Sequence, residues 1–84
     1  MNSITKKPWG YFEILESGNK FLIKKIIVKP GGILSLQSHE HRSEHWIVAD
    51  GEAEVTVDNQ VTNLNENENI FIPKGSIHRM ANRK

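Results

Sequence analysis

The chain has 84 residues, 37% of them hydrophobic and 25% charged, with a formal net charge of +1 and no cysteine. That length suits one small domain, which a bound metal or a second subunit would help to stabilise. The near-neutral charge excludes a broad electrostatic footprint for nucleic acid, and the missing cysteines exclude disulfides and thiolate chemistry. No apolar run reaches the roughly 18 residues of a membrane span. Met1 to Lys7 lacks the apolar stretch of a secretion signal, so the expected location is cytoplasmic.

The first segment, residues 6–10, carries Pro8-Trp9-Gly10 and reads as a turn or an extended lead-in. Residues 11–15 read as a strand, residues 16–20 as a polar turn, and residues 21–29 as a second strand with apolar side chains on both faces. Pro30-Gly31-Gly32 stops it. Residues 33–39 read as a strand in which Ser35, Gln37 and His39 share one face. Residues 40–43 form a polar corner, and residues 44–49 resume a strand with Glu44, Trp46 and Val48 on one side. Asp50-Gly51 is a hairpin signal before a strand at residues 53–57. Asp58-Asn59 turns the chain into residues 61–64. Residues 65–69 are too polar for core and read as a loop. Residues 70–72, stopped by Pro73, and residues 77–81 are the last strands. No helical period and no solenoid repeat appears. Short strands with Gly, Pro and Asn punctuation predict an all-β barrel or sandwich, with a jelly roll the preferred form.

Candidate metal ligands cluster in this frame. Gln37 and His39 lie two apart on one strand face, so both side chains aim at one point. Glu44 starts the next strand, and His78 sits on the last. A set of N, O, O and N donors leaves one or two positions open, as in a catalytic metal site. His41 competes with Gln37 for a ligand place. Otherwise it stands at the barrel mouth as a substrate contact or acid/base. His45 has the opposite parity to Glu44 and is expected to face outward or to support a ligand. Arg42, Lys24 and Lys25 are candidates to meet a phosphate. Trp9 and Trp46 either wall a sugar pocket or fill the core.

The spacing Gly31, five residues, Gln37-x-His39, four residues, Glu44, six residues, Gly51 resembles the first cupin motif, with glutamine where many cupins have histidine. Pro73-x-Gly75-x-x-His78-x-x-x-Asn82 resembles the second, with Asn67 in place of an expected glycine. Lys7-Pro8-Trp9-Gly10, Val28-Lys29-Pro30-Gly31-Gly32, the stretch from Leu34 to Trp46 and Ile72-Pro73-x-Gly75-x-x-His78-Arg79 look more closely like the type II mannose-6-phosphate isomerase domain. That domain commonly forms the C-terminal part of bifunctional mannose-1-phosphate guanylyltransferases. No nucleotidyltransferase segment is present here.

The resemblance implies one cupin domain over residues 1–84, with a core from 6 to 82, folded as a jelly-roll β-barrel shortened after the second motif. It implies metal-dependent interconversion of mannose 6-phosphate and fructose 6-phosphate. Gln37, His39, Glu44 and His78 would hold a divalent ion, expected to be Zn²⁺. His41 and Arg42 are placed at the catalytic end, His41 as the proton-moving base, a role for which imidazole is the usual side chain. Relatives continue beyond the position of Asn82 with further strands, so a homodimer is expected to cover open edges. The alternative is a non-catalytic metal- or sugar-binding cupin. A metal-dependent oxygenase on the same barrel is a third reading, disfavoured by Gln37 in a ligand place.

Overall fold

Residues 4–83 are described by a computed structural model of the chain. The readings of Met1 to Ser3 and of Lys84 lie outside these residues. Nine strands follow one another: β1 (Ile4–Lys7), β2 (Gly10–Ser17), β3 (Leu22–Val28), β4 (Gln37–Ser38), β5 (Glu44–Ile47), β6 (Ala53–Val57), β7 (Gln60–Leu64), β8 (Asn69–Ile72) and β9 (Ile77–Ala81). All pairings are antiparallel. They build three sheets, ordered β1-β2-β3, β4-β9-β6-β7 and β5-β8.

The all-β expectation holds, and the strands do not close into a barrel. Among the described residues no ladder joins the β1-β2-β3 sheet to the other two. Loop bonds tie the ends together instead. Gly31 N donates to Asn82 O, Asn82 N to Gly32 O, and the Asn82 side chain to Val28 O.

The core follows from strand alternation. Val55, Leu64 and Ile72 are buried, and Trp46, Val48, Ala53, Val57 and Ile70 pack against them. In β5, Glu44 and Trp46 turn inward while His45 and Ile47 are exposed, as the parity predicts. Aligned with them across the ladder, Ile72 is buried and Phe71 exposed. His45 bonds Asn69 Oδ1 at 2.8 Å on the outside.

Four expectations need correction. Residues 33–39 do not make one strand: an isolated bridge pairs Ile33 with Ala81, and β4 pairs Gln37 with His78. The two pairings differ in register by one residue, so the segment slips between them, and Gly31-Gly32 at its entry allows the approach. Asp50-Gly51 does not close a hairpin, because β5 pairs with β8 while β6 pairs with β7 and β9. The turn instead carries the chain from one sheet to another, with Gly51 at φ +85°. The lead-in contains a strand, β1, hydrogen-bonded to β2. The turn at 16–20 begins later, since β2 runs to Ser17 with an irregularity between Ile14 and Glu16.

Two turn residues behave as their chemistry requires. Asp58 opens the β6–β7 hairpin at φ 54°, and Asn67 takes φ 71°, the left-handed geometry in which asparagine replaces glycine most readily.

Ile72 is 1% exposed at the centre of this small core. Truncation to alanine removes contacts that a short chain cannot rebuild. We expect Ile72→Ala to cost about 2–5 kcal/mol, read from the midpoint of urea unfolding at unchanged slope.

Candidate metal centre

The centre is assembled by one strand pairing and one turn. In the β4–β9 ladder Gln37 lies directly opposite His78, so both side chains emerge on one face. Just beyond β4, the His39 carbonyl accepts the Gly75 N–H at 2.8 Å. Gly75 sits at φ +86°, a conformation a side chain resists, so glycine suits this position. Residues 37–39 are thereby fastened at two points to the segment that carries His78. Glu44, first residue of β5, turns inward beside them.

His39 Nε2 lies 3.2 Å from Glu44 Oε2, and His78 Nε2 lies 3.5 Å from the same oxygen. One donor atom from each of the three residues falls within 4.8 Å of the other two. The proton positions follow from the partners. Arg42 Nη2 stands 2.9 Å from His39 Nε2. A guanidinium only donates, so that nitrogen is unprotonated and its lone pair accepts from Arg42, a bond that a metal ion would displace. His78 Nδ1 faces the Ser76 carbonyl at 3.3 Å, and a carbonyl only accepts. The Nδ1–H of His78 therefore donates, and its Nε2 also bears a lone pair.

Two imidazole lone pairs and a carboxylate oxygen thus face one another. Glu44 Oε2 is buried and receives no hydrogen bond among the described residues. A buried carboxylate oxygen without a hydrogen bond is costly, and a cation held at bonding distance would satisfy it. Zn–N and Zn–O bonds of about 2.0–2.2 Å in tetrahedral geometry separate donor atoms by about 3.3–3.6 Å. The two contacts to Glu44 Oε2 lie at or close to that range. The donor set fits a divalent metal.

Supporting contacts fix the ligands. The Trp46 indole N–H donates to Glu44 Oε1 at 2.9 Å, which aims Oε2 at the histidines. The Trp46 ring meets His78 edge-on at 5.5 Å between centroids. His78 is 4% exposed and cannot turn away. Trp46 therefore serves both the core and the site, the two uses left open by the sequence. Its place two residues after Glu44, on the same strand face, was the available signal. The Ser76 carbonyl and the Gly75–His39 bond had no signal short of the fold.

Gln37 lines the same cavity as Glu44 and His78, a space of about 250 Å³. Arg42 lines it as well and lies 3.7 Å from Glu44 Oε2 through Nε. His41 is exposed in the corner between β4 and β5 and stands outside the three-residue cluster. Lys24 lines the cavity, whereas Lys25 pairs with Glu13 at 3.3 Å.

His39 has its pKa lowered from the ordinary imidazole value of 6.5. Burial is the first cause. The charges of Arg42, His78 and Lys24 push the same way, and Glu44 opposes them. A lowered value keeps the ring neutral, the form that ligates metal.

Comparison with known proteins places this arrangement. The chain superposes on an RmlC-like cupin from Shewanella frigidimarina with a TM-score of 0.89 at 23% identity, covering 99% of this chain and 75% of that one. It superposes on the cupin domain of Schizosaccharomyces pombe Cnp3 with a TM-score of 0.65 at 15% identity, covering 98% and 52%. The fold is that of the cupins, and the site is a metal-capable His/His/Glu cluster carried on it.

The family follows from sequence. Residues 1–84 match the family model described as mannose-6-phosphate isomerase C-terminal, and the chain belongs to that family. It is 49% identical over 76 residues to a mannose-1-phosphate guanylyltransferase of Sinorhizobium fredii. It is 50% identical over 76 residues to the alginate biosynthesis protein AlgA of Pseudomonas aeruginosa and to the xanthan biosynthesis protein XanB of Xanthomonas campestris. These alignments cover 90% of this chain but only 15–16% of each relative. No helix among the described residues is long and apolar enough to cross a membrane.

The lowered pKa of His39 gives a signed expectation. Protons compete with metal for the imidazole only where it protonates, and folding itself disfavours that protonation. The stabilising contribution is complete above about pH 6.5 and is lost as pH falls from there through the lower folded value. Apparent Zn²⁺ or Co²⁺ affinity, titrated calorimetrically, should weaken only as the pH falls well below 6.5, towards the lowered folded value of His39. The His39 component should be nearly flat above it.

Proposed function

We propose that this domain binds a divalent metal and a sugar phosphate, and that its reaction is the interconversion of mannose 6-phosphate and fructose 6-phosphate. The observation that carries the reading is the convergence of His39 Nε2, His78 Nε2 and Glu44 Oε2, a carboxylate oxygen that receives no hydrogen bond among the described residues. The names of the relatives, which concern mannose 1-phosphate, alginate and xanthan, support a sugar substrate.

In this reading residues 1–84 act as one domain with its core between residues 6 and 82. Gln37 joins the three clustered residues as a fourth ligand through its amide oxygen. It is supported by its place opposite His78 and at the cavity wall. A bound divalent ion, Zn²⁺ in our assignment, would supply Lewis-acid polarisation of the sugar oxygens. The chain's own groups do the rest. Trp46 holds Glu44 in position, and the cavity wall places the sugar. Arg42 offers a guanidinium at the rim. His41 carries the proton between the two carbons from the exposed corner. We place the protein in the cytoplasm, where phosphorylated sugars are handled.

The coupled assay for fructose 6-phosphate formation, run on Zn²⁺-loaded protein, decides between catalysis and simple binding. Turnover in the parent chain would establish catalysis. His41→Gln should lower kcat by roughly 10²–10⁴-fold, the usual worth of one acid/base group, while metal affinity is retained. Metal and sugar-phosphate binding without turnover would establish the alternative, a non-catalytic binding cupin. The open sheets and the position of His41 outside the cluster favour that alternative.

The homodimer has its own support. Ile47 and Phe71 face outward on the β5–β8 pair and are 68% and 58% exposed. Two large apolar side chains on neighbouring strands suit burial against a second copy. Sedimentation at micromolar concentration should give the dimer mass, and Phe71→Lys should shift it to the monomer.

A further inference from the structure

The cavity has two walls, and the metal centre accounts for one. The other is a face of the β1-β2-β3 sheet. Lys7 lies opposite Gly10, Thr5 opposite Phe12, Phe12 opposite Ile26 and Ile14 opposite Lys24. Side chains alternate along a strand, so Lys7, Phe12, Lys24 and Ile26 share a single face. All four line the cavity. Glu13 and Lys25, which are paired in the ladder, belong to the opposite face and form an ion pair there.

Lys24 and Lys25 are therefore neighbours with different roles. The Lys25 charge is answered by Glu13 at 3.3 Å. The Lys24 ammonium instead stands 4.6 Å over the Phe12 ring. No salt bridge among the described residues pairs it with a carboxylate. A cation–π contact steadies an ammonium without neutralising it, so the charge remains available. Lys24 also acts electrostatically on His39, so ammonium and centre face a shared space. Of the charged residues lining that space, Lys7, Lys24, Arg42 and Arg79 are cationic and Glu44 alone is anionic. Gathering like charges on a concave surface is unfavourable until an anion enters.

We propose that Lys24 is the anion-binding residue of this cavity, taking the phosphate of a sugar phosphate on the wall that faces the metal centre. This rests on the sugar-phosphate reading given above. Lys24 is then a specificity-determining residue, acting on phosphorylated against neutral sugars, and Lys7 on the same face adds to the attracting field. Lysine suits the task as a compact point charge on a flexible stem.

The test is a titration of metal-free protein with inorganic phosphate, followed by tryptophan fluorescence, since Trp9 and Trp46 both line the cavity. Lys24→Gln is compared with Lys25→Gln, which makes the same change in net charge on the other face. Lys24→Arg keeps the charge and guards against a folding defect. The parent should bind phosphate. Lys24→Gln should weaken binding at least about tenfold, the scale of one charge-assisted hydrogen bond. Lys25→Gln and Lys24→Arg should stay within about threefold of the parent, again on that scale. In turnover, Lys24→Gln should raise KM for mannose 6-phosphate and leave Zn²⁺ affinity intact. No phosphate binding by the parent, or equal losses in the Lys24→Gln and Lys25→Gln variants, overturns the assignment. If isomerisation persists in that case, only the role of Lys24 falls. If the parent binds no metal, the reading of the centre falls instead, and the metal-free phosphate titration still decides for Lys24.

Discussion

The register between β4 and β9 is the constraint on which the rest depends. It sets Gln37 opposite His78 and, with the Gly75–His39 bond, brings residues 39 and 78 into one site. A slip of one residue would turn the alternate side chains of β4 to the other face. Imidazoles from distant parts of the chain would then point apart. Only two residues of β4 pair in this ladder. The register is held less by its own hydrogen bonds than by the Gly75 turn and by the burial of His78.

Electrostatics then decides what the site can be. Glu44 Oε2 has no donor, and the two nearest nitrogens present lone pairs. Arg42 is the cation closest to this group, reaching both His39 and Glu44. Its side chain is more than half exposed, so the guanidinium that touches these two donor atoms can swing out to solvent when another cation enters. The lowered pKa of His39 belongs to the same balance, since burial and neighbouring cations outweigh the single carboxylate.

Much of this was legible in the chain. The inward parity of Glu44 and Trp46 and the strands at Ala53–Val57 and Ile77–Ala81 follow from local chemistry, while the turn at Asn67, standing where a glycine is expected, was marked by the resemblance. What was not legible is non-local. The slip between Ile33 and Gln37 depends on β9, which lies forty residues on. Asp50-Gly51 has the composition of a hairpin turn, yet pairing partners are chosen by the sheets and not by the turn. The choice between Lys24 and Lys25 required knowing which face of β3 meets the cavity, because both faces carry isoleucine. The barrel or sandwich followed from the strand pattern and its shortened jelly-roll form from the resemblance, and the strand ladders among residues 4–83 stay open.

Trp46 lies where packing and chemistry meet. It rests on the Val55, Leu64 and Ile72 cluster, meets His78 edge-on, and gives its indole proton to Glu44. A ligand that binds only the assembled centre stabilises the folded state by RT ln(1 + [L]/Kd), about 2.7 kcal/mol at a hundredfold excess over Kd. An ion held at this centre would stabilise the fold through the same strands that carry its core, so thermal stability would report whether the centre is filled.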